Sequence, residues 1–213
     1  MTSSKPSFAG SRLYLVLDRS AIGDRDFVSV AEAALRGGVD ILQWRDKTAS
    51  DSDYYAAART LRALTRRHGK AFVVNDRVEM AMLVRADGVH LGHQDLPVAV
   101  ARALVGPSIW IGRSTHSLTE AIQAEAEGAD YIGVGPVFAT PTKPDYAAVG
   151  LELVRQVAES PLKIPWVAIG GIDPENLPLV LSAGAPRSAV VRAIAAASDP
   201  EAAARQLKGI LTG

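Results

Sequence analysis

Gln43, Arg45 and Lys47 occupy alternate positions directly after an apolar run that begins at Val39. If that run is a β-strand, alternate side chains point to the same face, so one amide and two cations leave its end in one direction. Converging polar groups of this kind are costly inside a fold unless an anion or water lies among them. The stretch therefore predicts a polar site with a preference for anions.

Asp76 and Asp95 follow the third and fourth apolar runs of the chain. Two carboxylates at the ends of adjacent strands suit Mg²⁺, which takes one or two carboxylates and completes its shell with substrate phosphates and waters. Each Asp also has an alternative role as a helix N-cap, Asp76 before Arg77 and Asp95 before Pro97, a residue suited to a first helical position. Because the chain has no Cys and no His cluster, zinc is the weaker candidate.

Further anion-binding groups follow the last three runs. Lys143 lies between Pro141 and Pro144, in a loop stiff enough to hold an anion, although a surface charge is the alternative. Gly171 and Arg192 follow the seventh and eighth runs, where many barrels bind phosphate. We therefore predict a diphosphate site around the first cations and a monophosphate site around Gly171 and Arg192.

The four His residues offer no compelling general base. His90 lies within an apolar run, where a core or rim position is the alternative to a ligand role, and His93 and His116 lie in loops. No His residue is therefore assigned the role of general base from its sequence position alone.

Eight short apolar runs must position these groups, and each is followed by an Ala-rich amphipathic stretch. The runs cover residues 12–17, 39–44, 71–75, 88–91, 109–112, 131–135, 166–170 and 188–192. Continuous apolar strands followed by helices imply a covered parallel sheet, and eight such units favour an α/β fold of the (β/α)8 TIM barrel type, with its reactive groups on the loops after the strands. A doubly wound open sheet is the alternative.

Capping residues predict several helix boundaries. Predicted starts carry Ser52, Asp53, Ser117 and the pair Asp173 and Pro174. Predicted ends carry Gly37, Gly69, Gly128 and Gly184.

Composition narrows the class of protein. A chain of 213 residues with 48% hydrophobic residues is typical of one domain, here residues 1–213 with residues 1–11 as a flexible extension. Equal numbers of basic and acidic residues, 23 each, give no global charge that would attract nucleic acid or a membrane, so small phosphorylated molecules are the expected partners. The absence of Cys, of a signal peptide and of an 18-residue apolar run fits a cytoplasmic protein, whereas oligomeric state is not readable.

Six motifs resemble those of the thiamine-phosphate synthase family, in order and from about Leu13 to Ile194. They are QWRDK, NDR, GVHLGHQDL, GRSTHS, DYIGVGPVFATPTKP and AIGGI. The resemblance implies a (β/α)8 barrel that joins hydroxymethylpyrimidine diphosphate to a thiazole phosphate, or its carboxylated form, and releases diphosphate with one Mg²⁺ per subunit.

The resemblance also implies roles for individual residues. Those implied to hold the pyrimidine diphosphate are Gln43, Trp44, Arg45, Asp46, Lys47, Asn75, Ser114 and Lys143. Those implied to hold the thiazole phosphate are Thr140, Pro141, Thr142, Gly171, Val191 and Arg192. Mg²⁺ is implied at Asp76 and Asp95, and the implied catalytic residues are Arg45, Lys47, Ser114 and Lys143.

Three positions depart from the family pattern. His93, followed by Gln94, stands where the family has Gln, and Trp44 stands where Leu is usual. Arg192 occupies a Ser position, where a longer cation could strengthen phosphate binding or alter thiazole selectivity.

Two other functions compete with synthesis of thiamine phosphate. A thiazole tautomerase on a similar barrel would make His116 the main catalytic residue and leave the QWRDK and TPTK motifs and both Asp residues without a role. A non-catalytic barrel would bind the phosphorylated ligands without turnover.

Overall fold

The structure is a computed structural model that describes residues 8, 10–142 and 146–213. Most of the predicted N-terminal extension, namely residues 1–7 and 9, lies outside the described residues. So do Lys143 and Pro144, two members of the loop predicted to hold an anion.

Eight parallel strands form a closed barrel in chain order, with β8 paired to β1. The strands are β1 Leu13–Asp18, β2 Ile41–Arg45, β3 Ala71–Asn75, β4 Gly88–Leu91, β5 Trp110–Thr115, β6 Tyr131–Val134, β7 Trp166–Ile169 and β8 Ser188–Val190. The predicted TIM barrel is confirmed, and the alternative of an open sheet is wrong because β1 and β8 are hydrogen-bonded to each other.

Helices follow the strands and cover the outside of the barrel. They are α1 Arg19–Ile22, α2 Phe27–Arg36, α3 Asp51–Arg67, α4 Val78–Leu83, α5 Val98–Val105, α6 Leu118–Ala126, α7 Gly150–Glu159, α8 Leu177–Ser182, α9 Arg192–Ala195 and α10 Pro200–Thr212. In the part of the chain that the structure describes, no helix is both long enough and apolar enough to cross a membrane.

The predicted helix ends are mostly correct. Ser117 caps α6 and Gly37 ends α2. Three other glycines follow their C-cap residues directly with positive φ, a conformation that Gly adopts at little cost; they are Gly69, Gly128 and Gly184.

Two predicted helix starts are wrong. The α3 N-cap is Ser50, which lies before Ser52 and Asp53, and the α8 N-cap is Asn176. Asp173 instead accepts hydrogen bonds from the backbone N–H groups of Glu175 and Asn176, so this pair of residues forms a turn before the helix.

Strand side chains alternate between two buried layers. On β1, Leu13, Leu15 and Leu17 pack in the layer between sheet and helices. Tyr14 and Val16 point into the barrel, which is filled by the inward side chains of the other strands. The inward layer opens at the carboxyl ends of the strands, where its polar groups can meet a ligand.

Candidate active site

Two adjoining cavities open at the carboxyl ends of the strands. The first, termed the axial cavity, has a volume of about 250 Å³ and is lined by inward residues such as Tyr14, Gln43 and Val167. The second, termed the rim cavity, has a volume of about 240 Å³ and includes Asp76 and Asp95. Residues that line both are Arg45, Asn75, His90, Ser114, His116 and Thr142.

The end of β2 supplies polar groups to both cavities. Gln43 lines the axial cavity, Lys47 lines the rim cavity and Arg45 lines both.

The two residues between these three, Trp44 and Asp46, face away from the cavities. Trp44 packs outside the barrel against Phe27, with ring centroids 5.2 Å apart. The Asp46 carboxylate accepts hydrogen bonds from the backbone N–H groups of residues 48 and 49. Neither Trp44 nor Asp46 lines a cavity, which is the outcome of strand alternation.

Both cations from β2 are already paired with carboxylates. Arg45 donates to Asp18, a fully buried residue at the end of β1 that is in register with it. Lys47 donates to Asp76. The sequence reasoning missed Asp18, although its position at the end of the first apolar run is the signal that places it beside Arg45. An incoming anion therefore meets cations held in place by carboxylates.

Asp76 and Asp95 lie together in the rim cavity. Neither is a helix N-cap, since α4 and α5 begin after Arg77 and Pro97 without a side-chain cap, so that alternative is wrong. Asp76 has a φ of 61°, a left-handed conformation that is costly for a residue other than Gly. Burial and a hydrogen bond with Asp76 raise the pKa of Asp95. Two carboxyl groups held against each other in this way fit a divalent cation.

A hydrogen-bonded set of polar side chains forms the floor of the axial cavity. Tyr14 Oη donates to Gln43 Oε1 over 2.7 Å, and Gln43 Nε2 donates to Asn75 Oδ1 over 2.6 Å. Ser114 Oγ lies 3.0 Å from His90 Nε2. The sequence reasoning missed Tyr14, whose inward position on β1 is the signal that could have found it.

The predicted monophosphate residues come together on the other side of the axial cavity. The residues that line it there are Thr140, Pro141, Thr142, Gly171, Val191 and Arg192. Gly171 has a φ of 63°, and a Cβ atom there would lie 2.7 Å from the Ala139 carbonyl oxygen. Only Gly fits this backbone, so residue 171 brings main chain without a side chain to the wall of the axial cavity.

His93 and His116 line the rim cavity. Their rings stack with centroids 5.1 Å apart, and His93 Nε2 lies 3.0 Å from Glu120. His116 Nδ1 is bonded to the Gly135 carbonyl, and its backbone N–H donates to Glu120. This ring is anchored by its carbonyl partner and packs between its neighbours.

The family model of thiamine monophosphate synthase matches residues 13–194. The thiamine-phosphate synthase of Thermosynechococcus vestitus is 51% identical over 93% of this chain. This chain spans only 55% of that relative's length. The thiamine-phosphate synthase of a Mycobacterium species, strain KMS, is 49% identical, with coverage of 97% of this chain and 95% of the relative.

Solved structures give the same result. The thiamine phosphate pyrophosphorylase of Pyrococcus furiosus is 42% identical, with a TM-score of 0.87 and coverage of 94% of this chain and 95% of that chain. A 3-hexulose-6-phosphate synthase with a TM-score of 0.66 and 19% identity shares the barrel fold alone. The match over residues 13–194 and the identity to full-length relatives show that this chain belongs to the thiamine monophosphate synthase family.

Proposed function

We propose that this protein is a thiamine-phosphate synthase, a transferase that moves a pyrimidinylmethyl group from hydroxymethylpyrimidine diphosphate to a thiazole phosphate, or its carboxylated form, and releases diphosphate. The observation that carries the proposal is the rim cavity, where Arg45, Lys47, Asp76 and Asp95 meet beside an axial cavity large enough for a ring. Membership of the family supports the same activity.

The diphosphate is assigned to the rim cavity. Arg45 and Lys47 each have more N–H donors than their carboxylate partners use, so both remain available to phosphate oxygens. Lys143, which follows Thr142 of the same cavity wall, is proposed as a third cation. These donors would stabilise the negative charge that develops on the leaving group, and no protein nucleophile is needed.

Asp76 and Asp95 are proposed to hold one Mg²⁺. Among the described residues no group of three or more His, Asp or Glu side chains could hold a metal, so substrate oxygens and waters would supply the remaining ligands. When bound, the ion would polarise the diphosphate oxygens and offset their charge. The chain itself contributes the left-handed backbone of Asp76 and the Gly92 N–H that orients Asp95 over 2.6 Å.

The two rings are assigned to the axial cavity. Gln43, Asn75 and Ser114 would hold the pyrimidine, and the loops that carry Thr140 and Gly171 would hold the thiazole phosphate. In the reaction the bond between the pyrimidine methylene carbon and the diphosphate oxygen breaks, and the thiazole nitrogen bonds to that carbon. Binding both substrates in one cavity lowers the entropic cost of their encounter.

The proposal is tested by a diphosphate-release assay with purified protein and both substrates. We expect release that requires both substrates, stops with EDTA and returns with Mg²⁺, together with thiamine phosphate as the product by mass spectrometry. Binding of both substrates by calorimetry without release would favour the non-catalytic barrel. Isomerisation of the thiazole without diphosphate release would favour the tautomerase, a function less favoured here because His116 Nδ1 is engaged by the Gly135 carbonyl.

A further inference from the structure

Six polar side chains form one continuous series of hydrogen bonds across the barrel interior, here termed the interior chain. In order they are Ser114, His90, Tyr131, Tyr14, Gln43 and Asn75. The donor to acceptor distances along it are 3.0, 3.1, 3.0, 2.7 and 2.6 Å. Both end residues of the interior chain, Ser114 and Asn75, line the axial cavity. The direction of the hydrogen bonds along the interior chain therefore decides which of the two presents a donor, and which an acceptor, to a ligand ring.

Gly112 makes the middle of the interior chain possible. It lies on β5, in register with His90 on one side and Tyr131 on the other. A Cβ atom at residue 112 would lie 2.2 Å from the Tyr131 Cζ atom and 2.5 Å from His90 Nδ1. Gly112 is not among the glycines with positive φ, so backbone conformation does not explain it. A glycine is needed at residue 112 because any side chain there would occupy the space in which His90 contacts Tyr131.

Proton counting fixes the direction of the interior chain. Burial raises the pKa of Tyr14 and of Tyr131, so both hydroxyls keep their single proton at neutral pH. The Tyr14 hydroxyl donates its single proton to Gln43 Oε1, and therefore it must accept the hydrogen bond from the Tyr131 hydroxyl. Tyr131 then has no proton left for His90 and accepts one from His90 Nδ1.

The same count extends to both ends. In the neutral form of His90 a proton on Nδ1 makes Nε2 an acceptor, so the Ser114 hydroxyl donates to Nε2 and keeps its own lone pairs for a ligand. At the other end Asn75 accepts through Oδ1, which leaves its amide N–H groups for the axial cavity.

We propose that His90, Tyr131 and Tyr14 are positioning residues that set the hydrogen-bond polarity of the axial cavity, with an acceptor at Ser114 and a donor at Asn75. The ligand class that matches is an aromatic nitrogen heterocycle with an amino group, which brings its own donor and acceptor. The choice of ligand class rests on the proposed function, whereas the order of the protons along the interior chain does not. A polar pair with a fixed direction disfavours ligands of the opposite polarity, because the polar groups of such ligands would be left unpaired in the cavity.

The test is ¹⁵N NMR of the full chain with ¹⁵N-labelled His side chains at neutral pH. A His90→Gln variant assigns the His90 signals. We expect His90 to carry its proton on Nδ1, with Nε2 unprotonated. A proton on Nε2 alone would mean that the order runs the other way, and protons on both nitrogens would remove the acceptor state of Ser114. Either result overturns the proposal.

Two variants test whether the tyrosines set the order. Tyr131→Phe removes the acceptor of His90 Nδ1, so we expect the His90 proton to move largely to Nε2. Tyr14→Phe should give the same shift although Tyr14 is two links away, because Tyr131 would then donate to His90. Thr65→Val, which removes a buried hydroxyl on α3, serves as the control and should leave the His90 signals unchanged. Unchanged His90 signals in both tyrosine variants would overturn the proposal.

Kinetics supply a second readout. We expect Tyr131→Phe to lower kcat/KM for the pyrimidine diphosphate by about tenfold, in line with the loss of one oriented hydrogen bond, and to leave the KM of the thiazole phosphate unchanged. An equal rise of both KM values would indicate a general structural role and contradict the positioning role. If the protein had no synthase activity, the NMR results alone would still decide the proton order.

Discussion

The carboxyl group of Asp95 lies against that of Asp76, and the pKa of Asp95 is raised by burial first and then by its hydrogen bond with Asp76. A raised pKa in the folded state means that the protonated form is favoured there. The contribution of protonated Asp95 to the stability of the folded protein is fully present below the ordinary pKa of 3.8, and it is lost as the pH rises through the raised pKa. At neutral pH an ionised Asp95 therefore opposes folding of the metal-free protein.

Asp95→Asn should consequently be more stable than the wild type and less active. The Asn side chain keeps an acceptor for the Gly92 N–H while removing the charge beside Asp76. We expect a higher Tm in EDTA at neutral pH, and diphosphate release lowered by about 100-fold, as is typical for loss of an electrostatic contact at the reacting group. A lower Tm in EDTA, measured by calorimetry, would contradict the repulsion between the carboxylates.

Magnesium should stabilise the wild type through the same pair. A ligand at 100 times its Kd adds about 2.7 kcal/mol to the free energy of unfolding, so Mg²⁺ should raise the Tm. Asp76→Asn should abolish this rise. Asp26→Asn alters an exposed N-cap of α2 that lines neither cavity, and it should retain the rise in Tm. A rise that persists in Asp76→Asn would place the ion elsewhere.

Gly171→Ala should impair thiazole phosphate binding and the fold together. The substitution lowers the free energy of unfolding for two reasons. The φ of 63° is unfavourable for Ala, and the added Cβ atom would lie 2.7 Å from the Ala139 carbonyl oxygen. Gly69→Ala is a matched control, because its φ is 64° but no heavy atom lies within 4 Å of the added Cβ. We expect the control to lose about 1 kcal/mol in urea denaturation and Gly171→Ala to lose more. Equal losses would argue against the tight loop.

Arg192→Ser should raise the KM of the thiazole phosphate by about tenfold, as expected for one charge-assisted hydrogen bond. The KM of the pyrimidine diphosphate should remain unchanged, since its diphosphate is assigned to the rim cavity, which Arg192 does not line, and its ring to Gln43, Asn75 and Ser114. Arg155→Ser removes an exposed cation of α7 and is the control. If Arg192→Ser leaves both KM values unchanged, the second anion site does not depend on this cation.

Asp40 should govern acid stability at the opposite end of the barrel. Burial acts to raise its pKa, but hydrogen bonds from Lys208, the Arg12 N–H and Lys70 outweigh it, so the pKa is lowered from 3.8. A lowered pKa gives stability that is present above 3.8 and lost as the pH falls through the folded-state value. Asp40→Asn should lose about 2 kcal/mol at neutral pH and lose part of the acid dependence, with kcat unchanged. Urea denaturation across pH measures both effects.

The sequence predicted the barrel well because strand signals are local. The third and fourth apolar runs coincide with β3 and β4, and the others differ from their strands by a few residues at most. Helix starts are harder to predict, as α3 shows, since Ser50, Ser52 and Asp53 all have capping side chains and only tertiary packing decides among them.

The candidate site was harder to predict because its ion pairs join residues that are far apart in the sequence. The contact of Arg45 with Asp18 depends on the register between β1 and β2, and that of Lys47 with Asp76 depends on a left-handed backbone at Asp76. Tyr131 gave no chemical signal in the sequence, because an aromatic residue in a strand is ordinarily core. Its role emerges only when Gly112 leaves room for His90 beside it.

The most direct test of the central assignment is a crystal structure of the protein with pyrimidine diphosphate and Mn²⁺ in place of Mg²⁺. We expect an anomalous peak between the carboxylates of Asp76 and Asp95, with the diphosphate in contact with Arg45 and Lys47. An ordered diphosphate bound beside Gly171 and Arg192 instead, with no metal at the two carboxylates, would contradict the account.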